Sequence, residues 1–354
     1  MEQFILINNA KLPEDVFGTD PDTITKVYKK LVMLVHPDKH ALKDQTEQDK
    51  YSQLFQKLQK LKLEADIRVN LSIYGTTKKT KIDFEPFTIK TKRHEYTLTE
   101  LLEHGDISNV WRCQNELGDQ LILKSVKNPV NNDLVKNEIN MIKKINPEGD
   151  DKLYAEFFPD VIDSFVMMDA TKKKSQVIVQ SDYNAKGYVD LFTVKEVFKN
   201  NPDDEIVSRH LVWIFKRLLM TVGYLHNRSL VHGSVIPPHV LVHPVDHSIK
   251  LLDWSYMVKG SDKIKAISNA YVDFYPVEVM NKGGISGVTD IYMIVHTIQW
   301  LLPEDRMPLF MKRFFKGCLS HRHYDAWGLH AEFDGIVEAH YGEPKYIKLD
   351  TQEN

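Results

Sequence analysis

The chain has 354 residues, 42% of them hydrophobic and 27% charged, with a formal net charge of -3. That is long enough for one large or two ordinary domains, each with its own core, and the balance excludes a disordered chain. Near-neutral charge gives no general pull toward nucleic acid or an anionic membrane, so neither is expected as a partner.

The opening residues, Met1 to Ile5, are too short and too acidic for a signal peptide. The two cysteines, Cys113 and Cys318, lie far apart and form no CxxC metal pair. Both features point to a reducing, cytoplasmic setting. Asp20-Pro21-Asp22 is a helix start, with an Asp cap and a proline at an early position. Ile24, Val27, Tyr28, Leu31, Leu34 and Val35 then recur at helical spacing, and His36-Pro37 ends the run, because a residue before proline is pushed out of the helical region. Tyr51, Leu54, Phe55, Leu58 and Leu61 form a second periodic run, so the two segments predict a helical hairpin with the polar stretch His36–Gln48 at its tip.

Gly75–Ile82 reads as a linker. Alternating runs such as Phe87–Thr91 and Leu121–Lys124 follow, with β character. From about Asp204 helical patterns dominate, notably Val207–Leu225 and Asp290–Leu302. Ile291–Leu302 is the most apolar stretch, and it is too short to span a bilayer. Strands first and helices later predict an α+β domain of two lobes.

The segment Val16–Ala65 resembles the J-domain, the module that activates Hsp70 chaperones. The match comprises Phe17-Gly18, Tyr28-Lys29-Lys30-Leu31, then His36-Pro37-Asp38-Lys39, then the helix bearing Tyr51, Phe55 and Leu58. The resemblance implies that Pro37 fixes the bend, that Asp38 makes charged hydrogen bonds to the chaperone, and that His36 holds the turn in shape. Lys26, Lys29 and Lys30 would present a basic face to an acidic patch on the Hsp70. The family's short first helix has little support here, because Leu12–Phe17 is brief and contains Pro13.

From about Tyr96 to at least Trp327 the chain resembles the protein-kinase fold. The resemblance divides the chain into a J-domain over residues 1–74, a linker and leading strand over 75–95, a kinase-like N-lobe over 96–183 and a C-lobe over 184–354. Leu102–Val110 stands at the glycine-rich loop, where only Gly105 remains and Glu103 and Ser108 fill other glycine places. Lys124 and Glu138 match the phosphate-pairing lysine and its helix partner. That pair is expected to be partly exposed and to contribute about 0–1 kcal/mol. Ile122 takes the place of the alanine beneath adenine and would crowd the ring.

In the catalytic loop His232 is kept, Gly233 replaces an arginine, Ser234 the catalytic aspartate, Ile236 a lysine and His239 the metal-binding asparagine. A serine cannot accept the substrate's proton at neutral pH, and losing a positioned base costs on the order of 10²–10⁴ in rate. Asp253, in Leu252-Asp253-Trp254-Ser255, matches the second metal-binding residue. Glu278 matches the end of the activation segment, with Arg322 as its partner, and Asp290 matches the aspartate that braces the catalytic loop. His232, Trp254 and Ile142 would stack into a column joining the lobes.

The implied protein is an Hsp70 co-chaperone whose degenerate kinase-like domain is a pseudokinase that binds a client or partner protein, with ATP and Mg²⁺ bound weakly or not at all. An enzymatic alternative is an atypical protein kinase or a small-molecule phosphotransferase. The latter resembles aminoglycoside and choline kinases through His232-Gly233-Ser234 and Asp253-Trp254. His239, His243 and His247 recur every fourth residue, but the kinase match puts them on a loop and strand where they would not converge on a metal.

Overall fold

The computed structural model describes residues 6–8, 10, 12–40, 44–70, 74, 86–105, 107–145, 149–168, 172–320 and 325–351. The chain divides into two compact units, Met1–Glu85 and Pro86–Asn354. The stretch expected as a linker, Gly75–Ile82, lies outside the described residues.

The first unit is helical. One short turn, α1 (Glu14–Phe17), precedes α2 (Ile24–Val35) and α3 (Gln45–Asn70). The sequence gives α1 little support, yet it forms. Pro13 sits at its N-cap, where a missing N–H breaks no helical bond, and Phe17 is 2% exposed. Gly18, at φ +77°, turns the chain out of α1 in a conformation that favours glycine. Its carbonyl accepts a 2.7 Å bond from the Tyr74 hydroxyl. Asp20 caps the 3-10 turn Pro21–Thr23 that leads into α2, its carboxylate accepting from the Asp22 N–H at 3.0 Å. Ile24, Leu31 and Val35 of α2 pack against Leu54, Leu58, Leu61 and Ala65 of α3. That apolar stripe is what holds two helices of modest intrinsic propensity in place. At His36 the backbone turns extended (ψ 127°), as the following proline requires, and Pro37–His40 form a single 3-10 turn. Part of the expected polar tip is therefore helical.

The second unit has a bilobal α+β fold. A six-stranded antiparallel sheet runs β1 (Phe87–Lys90), β2 (Glu95–His104), β3 (Ser108–Asn115), β4 (Gln120–Val126), β6 (Lys174–Ser181) and β5 (Asp163–Met168) in spatial order. Between β4 and β5 lies α4 (Asn132–Ile145), which buries Leu134, Val135, Ile139 and Ile142 and also, unusually for a charged residue, Glu138. After β6 the chain enters the helical lobe through β7 (Val189–Asp190), α5 (Leu191–Asn200) and α6 (Asp204–His226). Asp203 caps α6 by accepting from the Glu205 and Ile206 N–H groups. The strands β8 (Leu230–Val231), β9 (Val240–Val242), β10 (Ile249–Leu251) and β11 (Val258–Lys259) then form two small sheets around the loop that carries Ser234.

Four helices follow: α7 (Val277–Met280), α8 (Gly287–Leu301), α9 (Leu309–Leu319) and α10 (Ala326–Tyr341). The side chains of Phe215, Phe314, Phe315 and Phe333 interlock edge to face in the core of this lobe. The apolar stretch around Ile291–Leu302 is a core helix. Among the described residues no helix is long and apolar enough to cross a membrane.

Candidate functional site

Two constellations were expected, one in each unit. In the first unit, Lys26, Lys29 and Lys30 are exposed on the face of α2 opposite its buried stripe. Their i, i+3, i+4 spacing sets them side by side on the helix. The His36 ring meets Phe55 of α3 edge-on, with centroids 5.0 Å apart, so the turn after α2 is pinned to the second helix. Next to it His40 stacks on Tyr51 at 3.4 Å, and its Nε2 lies 2.8 Å from Leu34 O. Pro37 and Asp38 belong to the 3-10 turn, and their side chains lie outside the described residues.

In the second unit the turn between β2 and β3 is tight. The Gly105 N–H donates to Ser108 O at 2.9 Å, and the strands stay paired up to His104 and Asn109. Under this turn Lys124 of β4 makes three bonds. Its Nζ donates to Glu138 Oε2 at 2.9 Å, to Asp253 Oδ1 at 2.7 Å and to Ser255 Oγ at 3.2 Å. Lys124 is 9% exposed and Glu138 1%. The expectation of a partly exposed pair is therefore corrected: the ion pair is buried, because α4 packs directly under β4 and the segment after β10 closes over it. Burial alone disfavours the ammonium, yet the attraction of Asp253 and Glu138 outweighs it and raises the Lys124 pKa. Asp253 is held well below the usual carboxylate range, burial being overcome by Lys124 and His239. Glu138 shares the same ammonium, and burial pushes it upward.

The loop that carries Ser234 and His239 continues this network. Ser234 is fully buried, and its Oγ lies 3.2 Å from His239 Nδ1 and 3.0 Å from the Tyr275 hydroxyl. His239 Nε2 lies 3.4 Å from Asp253 Oδ2. The two carboxylate oxygens of Asp253 thus face Lys124 and His239, side chains of the protein itself. Gly233 has φ +73°, which an arginine would adopt only under strain, and a Cβ there would come 3.0 Å from Ile264. Asp290, fully buried, accepts from the His232 and Gly233 N–H groups at 2.9 and 2.8 Å, and His226 Nε2 lies 3.0 Å away. His232 is pushed down to about 4 by burial.

Trp254 is completely buried, its Nε1 donating to Leu251 O at 2.7 Å. It meets His232 and Phe158 edge-on. Ile142 and Trp254 belong to the same buried cluster. Glu278 accepts from Thr289 Oγ1 at 3.0 Å, while Arg322, its expected partner, lies outside the described residues. The other histidines of the fourfold pattern diverge. His243 pairs with Asp246 at 3.2 Å, and His247 stacks on Trp213 at 4.4 Å.

Ser255, Tyr275, Phe158 and His226 complete this arrangement and were missed by sequence reasoning. Only Ser255 had a readable signal: Asp253 two residues earlier caps the short helical turn Trp254–Tyr256. The other three lie far away in sequence and reach the site only through the fold.

The cleft bordered by Glu103, Gly105, Val110, Ile122, Lys124 and Asp253 encloses about 170 Å³. Small-molecule sites usually run about 300–1,000 Å³. With Ile122 on its wall and Asp253 engaged by Lys124 and His239, this arrangement does not fit a magnesium nucleotide. What is present is a charge-paired polar network.

The second unit therefore has a protein-kinase-like fold. Among solved structures the chain is similar to the BubR1 kinase domain, with a TM-score of 0.54, 13% identity, and 77% of this chain and 91% of that chain covered. It is also similar to vaccinia related kinase 3, with a TM-score of 0.51, 14% identity, and 75% and 93% covered. In sequence, 130 residues are 27% identical to casein kinase II subunit alpha' of Saccharomyces cerevisiae, covering 34% of this chain. The chain spans about a third of that relative's length, 35% of it. No family model matches.

Proposed function

We propose that this chain is a J-domain co-chaperone that recruits an Hsp70 through His36-Pro37-Asp38, with the kinase-like unit as a catalytically inert platform for a client or partner protein. The observation that carries the first half is the His36–Phe55 contact beside an exposed row of Lys26, Lys29 and Lys30. A turn pinned to both helices of a hairpin, next to a cationic helix face, suits docking on an acidic chaperone surface. The platform half is supported by the closed network around Asp253, in which no residue stands ready to take a substrate proton. The test is ATP hydrolysis by a purified DnaK-type Hsp70 in the presence of the full chain. Stimulation is expected, and it should vanish in His36→Gln and Asp38→Asn. Equal stimulation by both variants would overturn the reading.

One observation favours the enzymatic alternative: the Lys124–Glu138 ion pair that a phosphotransferase uses is formed, with an ionised Asp253 beside it. It is distinguished by a radiolabel transfer assay, described with the predictions below.

A further inference from the structure

A second cavity, of about 480 Å³, is bordered by the end of α4, the stretch 155–161, Lys186, Lys250 and Trp254. Its volume is that of an ordinary small-molecule site. One wall is apolar, built from Ile142 and Ile145 of α4 with Phe158, Val161 and Trp254. The other is cationic. Lys143 and Lys186 are exposed at the mouth, and Lys250 of β10 reaches in from the floor, 8% exposed.

Lys250 has little that balances it. Its Nζ donates to Phe158 O at 3.0 Å and stands 4.9 Å from the centre of the Tyr183 ring. Among the described residues it forms no ion pair, although an ammonium has three N–H donors. Asp160, the one carboxylate on the cavity wall, already accepts from both the N–H and the hydroxyl of Ser181. Glu156 and Lys186 are the other charges that act on Lys250, with opposite signs. Burial of this cation, with Lys186 nearby, outweighs the attraction of Asp160 and Glu156 and lowers the Lys250 pKa to about 8. Three lysines against one carboxylate leave the cavity with an excess of two positive charges.

We infer that this cavity binds a small organic anion, an apolar body of one or two rings carrying a single carboxylate or phosphate, with the anionic group on Lys250 and the rings against Ile142 and Val161. Such a ligand supplies the direct ion pair that Asp160 and Glu156 do not make with Lys250, and covers the apolar wall at once. The site is separate from the chaperone-docking turn, so it stands or falls independently of the function proposed above.

The experiment is calorimetric titration of the full chain with 2-naphthoate, 2-naphthyl phosphate and the neutral 2-naphthamide. At pH 7 at least one anion is expected to bind about tenfold or more tightly than the amide, a difference of about 1.4 kcal/mol. If both anions do, the shared charge decides recognition; if one does, the cavity selects that head group. Lys250→Met should abolish the preference, and Lys250→Arg, which keeps the charge and guards against a folding artefact, should retain it. Lys199→Met, on the exposed face of α5, should change nothing. The preference should shrink as pH rises through 8, where the amine loses its proton. Equal binding of the amide, survival of the preference in Lys250→Met, or no binding of any probe at millimolar concentration would each overturn the inference.

Discussion

Replacing Lys124 with methionine tests whether the centre of the kinase-like unit is a buried charge network. Methionine keeps most of the side-chain volume, so the packing loss is small. The electrostatic loss is not, because Glu138 at 1% exposure and the Asp253 carboxylate are left without their shared cation. Breaking a buried pair by removing one partner costs about 3–5 kcal/mol, against about 0–1 kcal/mol for a surface pair. When Glu138→Gln and Asp253→Asn are made first, the buried Lys124 ammonium is itself the charge left unpaired. The same lysine replacement then relieves that penalty, which offsets the lost hydrogen bonds, and should cost about 1 kcal/mol or less. The difference between the two backgrounds, about 2 kcal/mol or more, is the coupling. Urea unfolding followed by tryptophan fluorescence measures it cleanly. All five tryptophans, at 111, 213, 254, 300 and 327, lie in the second unit, so the full chain reports that unit alone. A cost below about 1 kcal/mol for Lys124→Met in the parent background would show that the network is effectively solvated and would refute the reasoning.

Three further outcomes are expected. Trp254→Ala should destabilise the kinase-like unit by about 3–5 kcal/mol, the usual range for emptying a buried aromatic site, read from the urea midpoint of the remaining four tryptophans; a loss under 1 kcal/mol, far below that range, would contradict its place between the lobes. His210 and His232 are each pushed from 6.5 down to about 4 by burial, so the folded state holds them neutral while the unfolded chain protonates them. Their stabilisation is therefore complete above pH 6.5 and falls away toward pH 4, each ring costing about 2 kcal/mol by pH 5, and a urea midpoint unchanged between pH 7.5 and 5 would contradict the burial. No protein phosphorylation above background is expected with Mg²⁺ or Mn²⁺ in a radiolabel transfer assay; robust transfer that disappears in Asp253→Asn would favour the enzymatic alternative.

What could be read from the chain beforehand was mostly local. The stop at His36-Pro37 and the Asp20 cap are consequences of one or two residues, and the helices around Val207 and Asp290 follow from periodicity. The pairing of Lys124 with Glu138 was legible because each residue sits in a short recognisable context. Its burial was not, since that depends on how closely α4 and the segment after β10 approach β4. Expected exposure was wrong for the same reason that Tyr275 and Phe158 were missed. Tyr275 lies 41 residues from the Ser234 hydroxyl it touches, and no spacing rule connects them. The short helix α1 formed against expectation because Phe17 joins the buried cluster of α2 and α3 and meets the Tyr28 ring edge-on, which propensity does not see.

The same network gives Lys124, Glu138 and Asp253 a structural role that does not depend on catalysis. In this chain those residues are needed by one another. Lys124 comes from the sheet, Glu138 from α4, Asp253 and Ser255 from the segment after β10, His239 and Ser234 from the loop after β8, and Tyr275 from the stretch before α7. Bonds from Asn137 to the carbonyls of Ser255 and Met257, at 3.2 and 2.8 Å, run parallel to the ion pair. Each removal leaves a buried donor, acceptor or charge unsatisfied, and that penalty exceeds the net value of the bond itself. Opening the lobes about this point would break the Lys124–Asp253 contact and the Asn137 bonds together. A clasp of this kind favours one arrangement of the lobes, which suits the proposed binding platform better than repeated admission and release of a nucleotide.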